Sequence, residues 1–181
     1  MAAKAYVYIA TSLDGFIARK NGDLDWLSKV EVPGEDYGYQ KFMDSVDALV
    51  MGRKTYEKVL SFGDWPYADK DVVVLSSSES IVDNNLKGKV TIKSCSPNDL
   101  IQWATTKGYE KIYIDGGRTI SNFLNAGLIE EIAISKIPVL IGEGIPLFTG
   151  IDSDIELHHL ETIAYSSGLV QSIYRVNYAE E

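Results

Sequence analysis

The sequence predicts an α/β fold with a mostly parallel central sheet and an antiparallel hairpin at its C-terminal end. Up to about residue 130, short apolar segments of strand type alternate with segments that repeat apolar residues at helical spacing. Two of these strands stop at glycines from which a helix begins, at Gly52 and at Gly116-Gly117. Beyond that point the chain carries strand-like segments alone. Such alternation is typical of sheets whose strands run parallel.

Length and composition bound the class of protein. At 181 residues the chain is expected to form one domain, residues 1–181. Its 17 basic and 26 acidic residues give a net charge of −9, which argues against a nucleic-acid partner. A single cysteine, Cys95, favours a reducing compartment. Because no segment has the pattern of a membrane span or a signal peptide, we expect a cytoplasmic protein without a membrane partner.

The first strand and the loop after it are predicted from residues 4–34. Residues 4–11 are apolar, β-branched and aromatic, which suits a strand buried at the centre of a sheet. The strand runs into a turn signature at Asp14-Gly15, and a long polar segment that contains Trp26 follows. Loops of this length inside a compact domain are commonly functional. We therefore interpret the segment as a substrate-binding loop, with Trp26 as one of its contacts.

A helix is predicted to begin near Asp36, because Tyr39, Phe42, Met43 and Val46 fall on one apolar face. Asp36 has two interpretations. It can cap the helix by accepting hydrogen bonds from free backbone N–H groups, which is a common role for aspartate. It can also act as a carboxylate at the mouth of a cleft, where it would hold or protonate a substrate nitrogen. Its position alone favours the cap.

The two strand–glycine–helix junctions predict a site for phosphate groups. Glycine permits the sharp turn, and a helix N-terminus presents free N–H groups and the positive end of the helix dipole. A single junction of this kind can equally be a turn without a ligand, but two favour an extended phosphorylated ligand such as a dinucleotide. The residues expected to hold it are Gly52, Arg53, Lys54, Thr55, Asp115, Gly116, Gly117, Arg118 and Thr119.

Three serines follow the predicted strand 72–75. Ser76, Ser77 and Ser78 can form a solvated loop, or they can bind a ribose 2′-phosphate together with Arg53 and so select NADPH. Ligands of α/β sheets bind at such strand ends, which supports the second interpretation.

The remaining elements are interpreted as structural. A helix capped by Ser96 and ended by Gly108 follows a short strand at 90–92. Segments 156–165 and 169–178 predict an edge hairpin, which offers a surface for a homodimer.

No metal site is expected. His158 and His159 are adjacent, so on a strand they point to opposite faces and cannot hold one ion.

In this order, the motifs resemble the dihydrofolate reductase superfamily, and within it the C-terminal reductase domain of the riboflavin-biosynthesis deaminase-reductase. The resemblance spans nearly the whole chain and rests on residues 12–18, 50–56, 75–78, 114–118 and 142–148. It implies a three-layer, dihydrofolate-reductase-like fold with helices on both faces of the sheet, a homodimer, and an NADPH-dependent oxidoreductase.

The resemblance also implies roles for the site residues. The two glycine junctions would hold the NADPH phosphates, and Ser76 and Ser77 with Arg53 would hold the 2′-phosphate. Asp36 would be the catalytic carboxylate, with a pKa raised by a partly apolar cleft. Asp14 and Gly15 would contact the substrate, although an Asx-type turn is an alternative role for Asp14.

The implied activity is hydride transfer from NADPH to a pterin-like or aminouracil-like substrate, most similar to 5-amino-6-(5-phosphoribosylamino)uracil reduction. Dihydrofolate reduction is an alternative, although Asp14-Gly15 stands where dihydrofolate reductases carry a Pro-Trp signature. A non-catalytic NADPH-binding protein is an alternative of another class. The substrate stays open, because a ribose phosphate calls for basic residues and the loop offers only Arg19, Lys20 and Lys29.

Overall fold

The computed structural model describes residues 1–78, 82 and 84–178, and an eight-stranded sheet forms its centre. The strands are β1 (Lys4–Ser12), β2 (Phe16–Ala18), β3 (Ala48–Gly52), β4 (Asp71–Leu75), β5 (Val90–Lys93), β6 (Lys111–Asp115), β7 (Ile129–Ile137), β8 (Ile145–Pro146), β9 (Glu156–Ala164) and β10 (Val170–Asn177). The helices are α1 (Tyr39–Ser45), α2 (Arg53–Leu60), α3 (Pro97–Thr106) and α4 (Gly117–Asn125), with 3₁₀ turns at Asp25–Val30 and Asn84–Leu86.

The strand order in the large sheet is β5-β4-β3-β6-β1-β7-β10-β9. The strands from β5 to β7 run parallel, whereas β10 is antiparallel to both β7 and β9. The predicted α/β class, the parallel sheet and the C-terminal hairpin are therefore confirmed. Because β6 lies between β3 and β1, the carboxyl ends of β3 and β6 are neighbours although their residues are distant in the sequence.

Helices cover both faces of the sheet. One hydrophobic cluster joins Ile112 and Ile114 of β6 to Leu100 of α3 and Phe123 of α4. A second cluster joins Tyr113 of the same strand to residues of α1 and α2. This division follows from the alternation of side chains along a strand, and it confirms the three-layer arrangement.

Two of the helices are capped by side chains. Ser96 Oγ accepts a hydrogen bond from Asp99 N at the start of α3, as the sequence predicts. The carboxylate of Asp36 accepts hydrogen bonds from Gly38 N at 2.9 Å and Gln40 N at 3.0 Å, before and within the first turn of α1. These bonds satisfy donors that a helix start leaves without partners.

The segment between β2 and α1 differs from the predicted polar loop. It contains the 3₁₀ turn Asp25–Val30, which buries Trp26 and Val30 against Ile137 and Leu169. Local sequence does not indicate this packing, because the apolar partners lie more than a hundred residues further along the chain.

The small ribbon of β2 and β8 is a second unpredicted element. It brings residues 145–147 against the start of α4, where a Cβ on Gly117 would lie 2.8 Å from the Pro146 carbonyl oxygen. Close backbone approach of this kind requires glycine.

None of the helices formed by the described residues has the length and apolarity needed to cross a bilayer. The strand β9 is exposed along nearly its whole length on both faces.

Candidate active site

A cleft of about 1240 Å³ opens where β3, β4 and β6 end, between the starts of α2 and α4. All nine residues of the two predicted glycine junctions line it, and so do Ser76, Ser77 and Ser78. The strand order explains this convergence, because β3 has β4 on one side and β6 on the other, and parallel strands end at one edge. The predicted phosphate-site residues are thus brought together in one cleft.

The two junctions contact each other reciprocally. A Cβ on Gly116 would lie 2.6 Å from Thr55 Oγ1 at the start of α2, and one on Gly52 would lie 3.0 Å from Thr119 Oγ1 in α4. Gly116 also has a φ of +95°, which L side chains rarely adopt. The two helix starts are therefore close together. Gly116 leaves room for Thr55 of α2, and Gly52 leaves room for Thr119 of α4.

The N-cap residues of α2 and α4 are Gly52 and Gly116, which offer no capping side chain. At α3 Ser96 caps the helix, and at α1 Asp36, two residues before the N-cap, accepts a hydrogen bond from Gln40 N in the first turn. The first backbone N–H groups of α2 and α4 therefore have no acceptor from a capping side chain and lie at the cleft, which their residues line. Arg53, Lys54 and Arg118 are exposed beside them and add positive charge. This end of the cleft is therefore suited to an anion with several oxygen atoms.

Arg53 links α2 to the serine segment. Its Nη1 donates to Ser78 Oγ at 2.8 Å, and Ser76 Oγ in turn interacts with the backbone and side chain of Ser78. A guanidinium next to two hydroxyl groups is a suitable partner for a phosphate monoester.

Asp115 lies at the end of β6, at the bottom of the cleft. Its Oδ1 accepts a hydrogen bond from Gly116 N at 2.8 Å, but burial dominates and raises the pKa of its carboxyl group to about 6. Burial and the Asp115 charge also raise the pKa of Tyr39 to about 12 and that of Tyr67 further. Asp115 therefore takes up a proton close to neutral pH, beside hydroxyl groups that remain protonated.

A second cavity of about 600 Å³ adjoins the cleft and shares Tyr8, Ala10, Leu27 and Tyr39 with it. It lies between the 3₁₀ turn 25–30, the start of α1 and strands β1 and β7. Its walls are aromatic and apolar, and three carboxylates line its entrance: Glu31, Glu35 and Asp36.

A buried polar network forms the floor of the second cavity. Gln171 Nε2 lies 3.0 Å from Ser135 Oγ and 3.2 Å from both Tyr8 Oη and the Tyr37 carbonyl oxygen. Tyr8 donates its own hydroxyl to that carbonyl at 2.8 Å. Because these groups hold one another, the polar atoms of the floor are fixed in position.

Tyr37 at this floor has a φ of +57°, a strained value for a residue with a side chain. Its hydroxyl contacts the Val30 carbonyl oxygen and Ser167 Oγ, and its N–H donates to Glu35 Oε1. These contacts from three sides hold the strained residue in place.

Asp36 requires a correction. It lines the second cavity and not the cleft, it is exposed, and its carboxylate caps α1. Hydrogen bonds from the N–H groups of Gln40 and then Gly38 lower its pKa below the ordinary value, so the predicted rise is wrong. Between the two interpretations of Asp36, the structure supports the cap.

The other predicted substrate contacts lie outside the cleft. Trp26 is buried in the third hydrophobic cluster and lines neither cavity. Asp14 accepts hydrogen bonds from Ile141 N at 3.2 Å and Gly142 N at 2.8 Å, and the Gly15 carbonyl accepts one from Leu147 N. These hydrogen bonds fix the loops beside the site, and contact of Asp14 and Gly15 with a substrate stays a prediction.

Two of the three basic residues of the loop form exposed ion pairs, and one of them, Lys20, also lines the cleft. Arg19 forms a bidentate pair with Asp25, with nitrogen–oxygen distances of 2.6 and 3.0 Å, and Lys20 Nζ lies 2.5 Å from Glu143 Oε2. Lys29 lines neither cavity.

Sequence reasoning missed several residues of the site. The sequence pattern places Tyr8 only in a strand and Tyr39 only on an apolar helix face. Tyr67 and Glu35 belong to no motif. Among the described residues, no group of three or more His, Cys, Asp and Glu side chains is placed to hold a metal ion.

Comparison with known protein families gives one match over most of the chain. The sequence profile described as the RibD C-terminal domain matches residues 3–171. Two proteins of Bacillus subtilis (strain 168), YwjB and YyaP, both described as uncharacterized, are 36% and 30% identical to this chain. The alignments cover 87% and 93% of this chain and 89% and 93% of those relatives.

Solved structures agree with that match. A Shewanella sp. PV-4 protein, assigned provisionally to riboflavin biosynthesis, is 42% identical with a TM-score of 0.91, over 98% of this chain and all of the other. The Thermotoga maritima diaminohydroxyphosphoribosylaminopyrimidine deaminase/5-amino-6-(5-phosphoribosylamino)uracil reductase has a TM-score of 0.74 at 13% identity. That alignment covers 97% of this chain and 57% of the bifunctional protein, and it bears on the fold alone.

Proposed function

The chain belongs to the RibD C-terminal domain family, and on that premise we propose that it is an NADPH-dependent reductase that transfers a hydride to a pterin-like or aminouracil-like heterocycle. The family supports an oxidoreductase of the riboflavin-pathway type. The observation that carries the finer proposal is the single cleft in which two uncapped helix starts, a basic rim and a carboxyl group with a raised pKa meet.

The residues present fit a dinucleotide. The free N–H groups at the starts of α2 and α4 would hold its pyrophosphate, and Arg53 with Ser76 and Ser77 would hold the 2′-phosphate that distinguishes NADPH from NADH. The close approach of the two junctions at Gly52 and Gly116 supports one ligand spanning both. When bound, the nicotinamide supplies the hydride, and the protein has only to orient the reactants, exclude water and handle one proton.

We assign the proton to Asp115. It lines the cleft as a half-buried residue, and burial raises the pKa of its carboxyl group, so it keeps its proton to a higher pH than an ordinary aspartate does. A pKa of about 6 lets the carboxyl group give up a proton to the reduced substrate and recover it from water at neutral pH. Asp36 lacks this capacity, because its hydrogen bonds stabilise the ionised form.

Titration of the purified protein with NADPH and with NADH, followed by nicotinamide fluorescence, tests the cofactor. We expect NADPH to bind at least about tenfold more tightly, since hydrogen bonds to a charged phosphate each contribute about 1.5–3 kcal/mol. Absorbance loss of NADPH with dihydrofolate and with the aminouracil ribosyl compound then tests the reaction. Binding of neither nucleotide contradicts the proposal, and tight binding without turnover supports a non-catalytic NADPH-binding protein instead.

We further propose a homodimer formed through β9. This edge strand exposes 42% of Leu157 and 38% of Leu160. Its outer edge pairs with no other strand of the described residues, and such an edge favours association with another strand. Size-exclusion chromatography with light scattering measures the molecular mass, and a monomer at all concentrations contradicts this part of the proposal.

A further inference from the structure

We propose that the second cavity selects a substrate without an anionic tail, namely an amino-substituted heterocycle whose side chain is neutral or cationic. This inference rests on the proposed function, because it assigns the second cavity to the substrate of that reaction. It concerns the part of the substrate that extends beyond the reacting ring.

The position of the second cavity makes it the place for the substrate. It shares Tyr8 and Tyr39 with the cleft, which Asp115 also lines. A substrate whose ring reacts in the cleft can therefore extend past these shared residues into the second cavity. The opposite end of the cleft is bounded by Arg53 and the serines, which the cofactor phosphates would occupy.

The charge of the second cavity is uniformly negative. Glu31, Glu35 and Asp36 line it, and none of the described residues that line it is Lys, Arg or His. Asp36 stays ionised because hydrogen bonds from Gln40 and Gly38 lower its pKa. The pKa of Tyr165 is raised by burial first and then by the charges of Glu35 and Asp36.

No loop base offsets this charge at the second cavity. Arg19 is held by Asp25, Lys20 is held by Glu143, and Lys29 lines neither cavity. A phosphorylated or glutamate-bearing tail would thus meet carboxylates without a cationic partner, and like charges brought together in this way oppose binding.

The walls favour a flat, amino-bearing ring. Leu27, Ile137 and Leu169 provide apolar surface, while Ser135 Oγ and the Tyr8 and Tyr37 oxygen atoms provide fixed polar groups at the floor. An entrance lined by carboxylates attracts amino groups, so the cavity discriminates by charge as well as by shape.

Two matched pairs of compounds test the inference. The first pair is 5-amino-6-(ribosylamino)uracil and its 5′-phosphate, and the second is a dihydropterin with an uncharged side chain and dihydrofolate. Affinities are measured by calorimetry with the protein saturated with NADP⁺, and kcat/KM is measured by NADPH oxidation. We expect the uncharged member of at least one pair to bind about tenfold more tightly at low salt, with the difference shrinking as salt screens the exposed carboxylates.

Charge reversal provides the control. Glu31→Lys should improve binding of the anionic member by about tenfold without changing NADPH affinity, whereas Asp154→Lys, an exposed acid on the 150–155 segment outside both cavities, should change neither. Equal binding within both pairs, tighter binding of the anionic members, or binding of none of the four overturns the inference. The reductase proposal fails separately, when wild-type protein binds neither NADPH nor NADH.

Discussion

The cleft and the second cavity that adjoins it differ in charge and in construction. In the cleft, Arg53, Lys54 and Arg118 lie beside two helix starts whose glycine N-caps offer no capping side chain. The second cavity is lined by Glu31, Glu35 and Asp36, and Asp36 also accepts a hydrogen bond in the first turn of the nearby helix α1. The cleft is therefore suited to an anion, whereas the second cavity is not.

This difference shows that a helix N-terminus is an anion site only where its N–H groups are left free. All four helix starts carry the positive end of a helix dipole. At α1 and α3, however, Asp36 and Ser96 already accept hydrogen bonds from backbone N–H groups of the first turn. Asp115 lines the cleft, and burial outweighs its hydrogen bond from Gly116 N in setting its pKa.

The largest expected effect is the loss of kcat on substitution of Asp115 in the cleft. Asp115→Asn should lower kcat by about 10²–10⁴-fold, because it removes a positioned proton donor while its amide oxygen can still accept from Gly116 N. The pH profile should also change. Wild-type kcat should fall as pH rises through about 6 and the carboxyl group ionises, whereas the residual rate of the variant should not follow this titration.

The same variant has an opposite effect on stability. The folded pKa of Asp115 is raised above its ordinary value of 3.8, so ionising it costs folding free energy once pH exceeds that value. Asp115→Asn should therefore raise the melting temperature between pH 6 and 8, and the gain should disappear below about pH 4. A variant that loses stability at pH 7 would contradict the burial argument.

The next effect tests the contact between the two uncapped helix starts. Gly116→Ala should cost about 2–5 kcal/mol of unfolding free energy, because it combines a positive φ with a Cβ 2.6 Å from Thr55 Oγ1. NADPH affinity should fall with it.

Gly108→Ala is the matched control, since Gly108 has a φ of +83° but no atom within 4 Å of the added Cβ. It should cost only about 1–2 kcal/mol and leave NADPH affinity unchanged. Adding Thr55→Ser should leave the clash, whereas Thr55→Ala should relieve part of it. Equal losses in the Gly116 and Gly108 variants would mean that the contact is unimportant.

A smaller effect is expected for the cationic rim. Arg53→Gln should weaken NADPH binding by about 10–100-fold through the loss of a charged hydrogen-bond donor to the 2′-phosphate, and it should leave NADH binding nearly unchanged. Fluorescence titration with both nucleotides measures this. An equal loss for both would place Arg53 at the pyrophosphate instead.

The smallest effect is expected for Asp36, which lines the second cavity. Asp36→Ala should cost about 1 kcal/mol of unfolding free energy and leave kcat almost unchanged, because it removes a cap. Ser96→Ala at the start of α3 should cost a similar amount, and Asp36→Asn should restore most of the loss.

The sign of the pH dependence at Asp36 is opposite to that at Asp115. Its folded pKa is lowered, so its contribution is present above the ordinary value of 3.8 and is lost as pH falls through the folded pKa. Denaturant unfolding of the wild type and Asp36→Ala at several pH values measures this difference. A hundredfold loss of kcat in Asp36→Asn would instead restore the catalytic interpretation of this residue.

The residues of the two glycine junctions were predictable from the sequence, while those of the second cavity were not. The residues around Gly52 and Gly116 form local strand–glycine–helix patterns, and each pattern determines its own turn whatever the rest of the chain does. The second cavity combines side chains from β1, the 3₁₀ turn, α1, β7 and residue 169. Trp26 illustrates the limit, since its partners Ile137 and Leu169 are remote in the sequence and turn an expected substrate contact into core.

The sequence by itself determined the α/β class, the parallel sheet, the final hairpin and the residues of both glycine junctions, because these follow from periodicity and from short-range turn chemistry. Only the tertiary structure decided that β6 lies beside β3, so that Gly116 meets Thr55 and the two junctions become one cleft. It also decided the surroundings of two aspartates. Asp36 is exposed and accepts hydrogen bonds from backbone N–H groups, whereas Asp115 is partly buried, and the pKa of a carboxyl group depends on such surroundings rather than on its place in a motif.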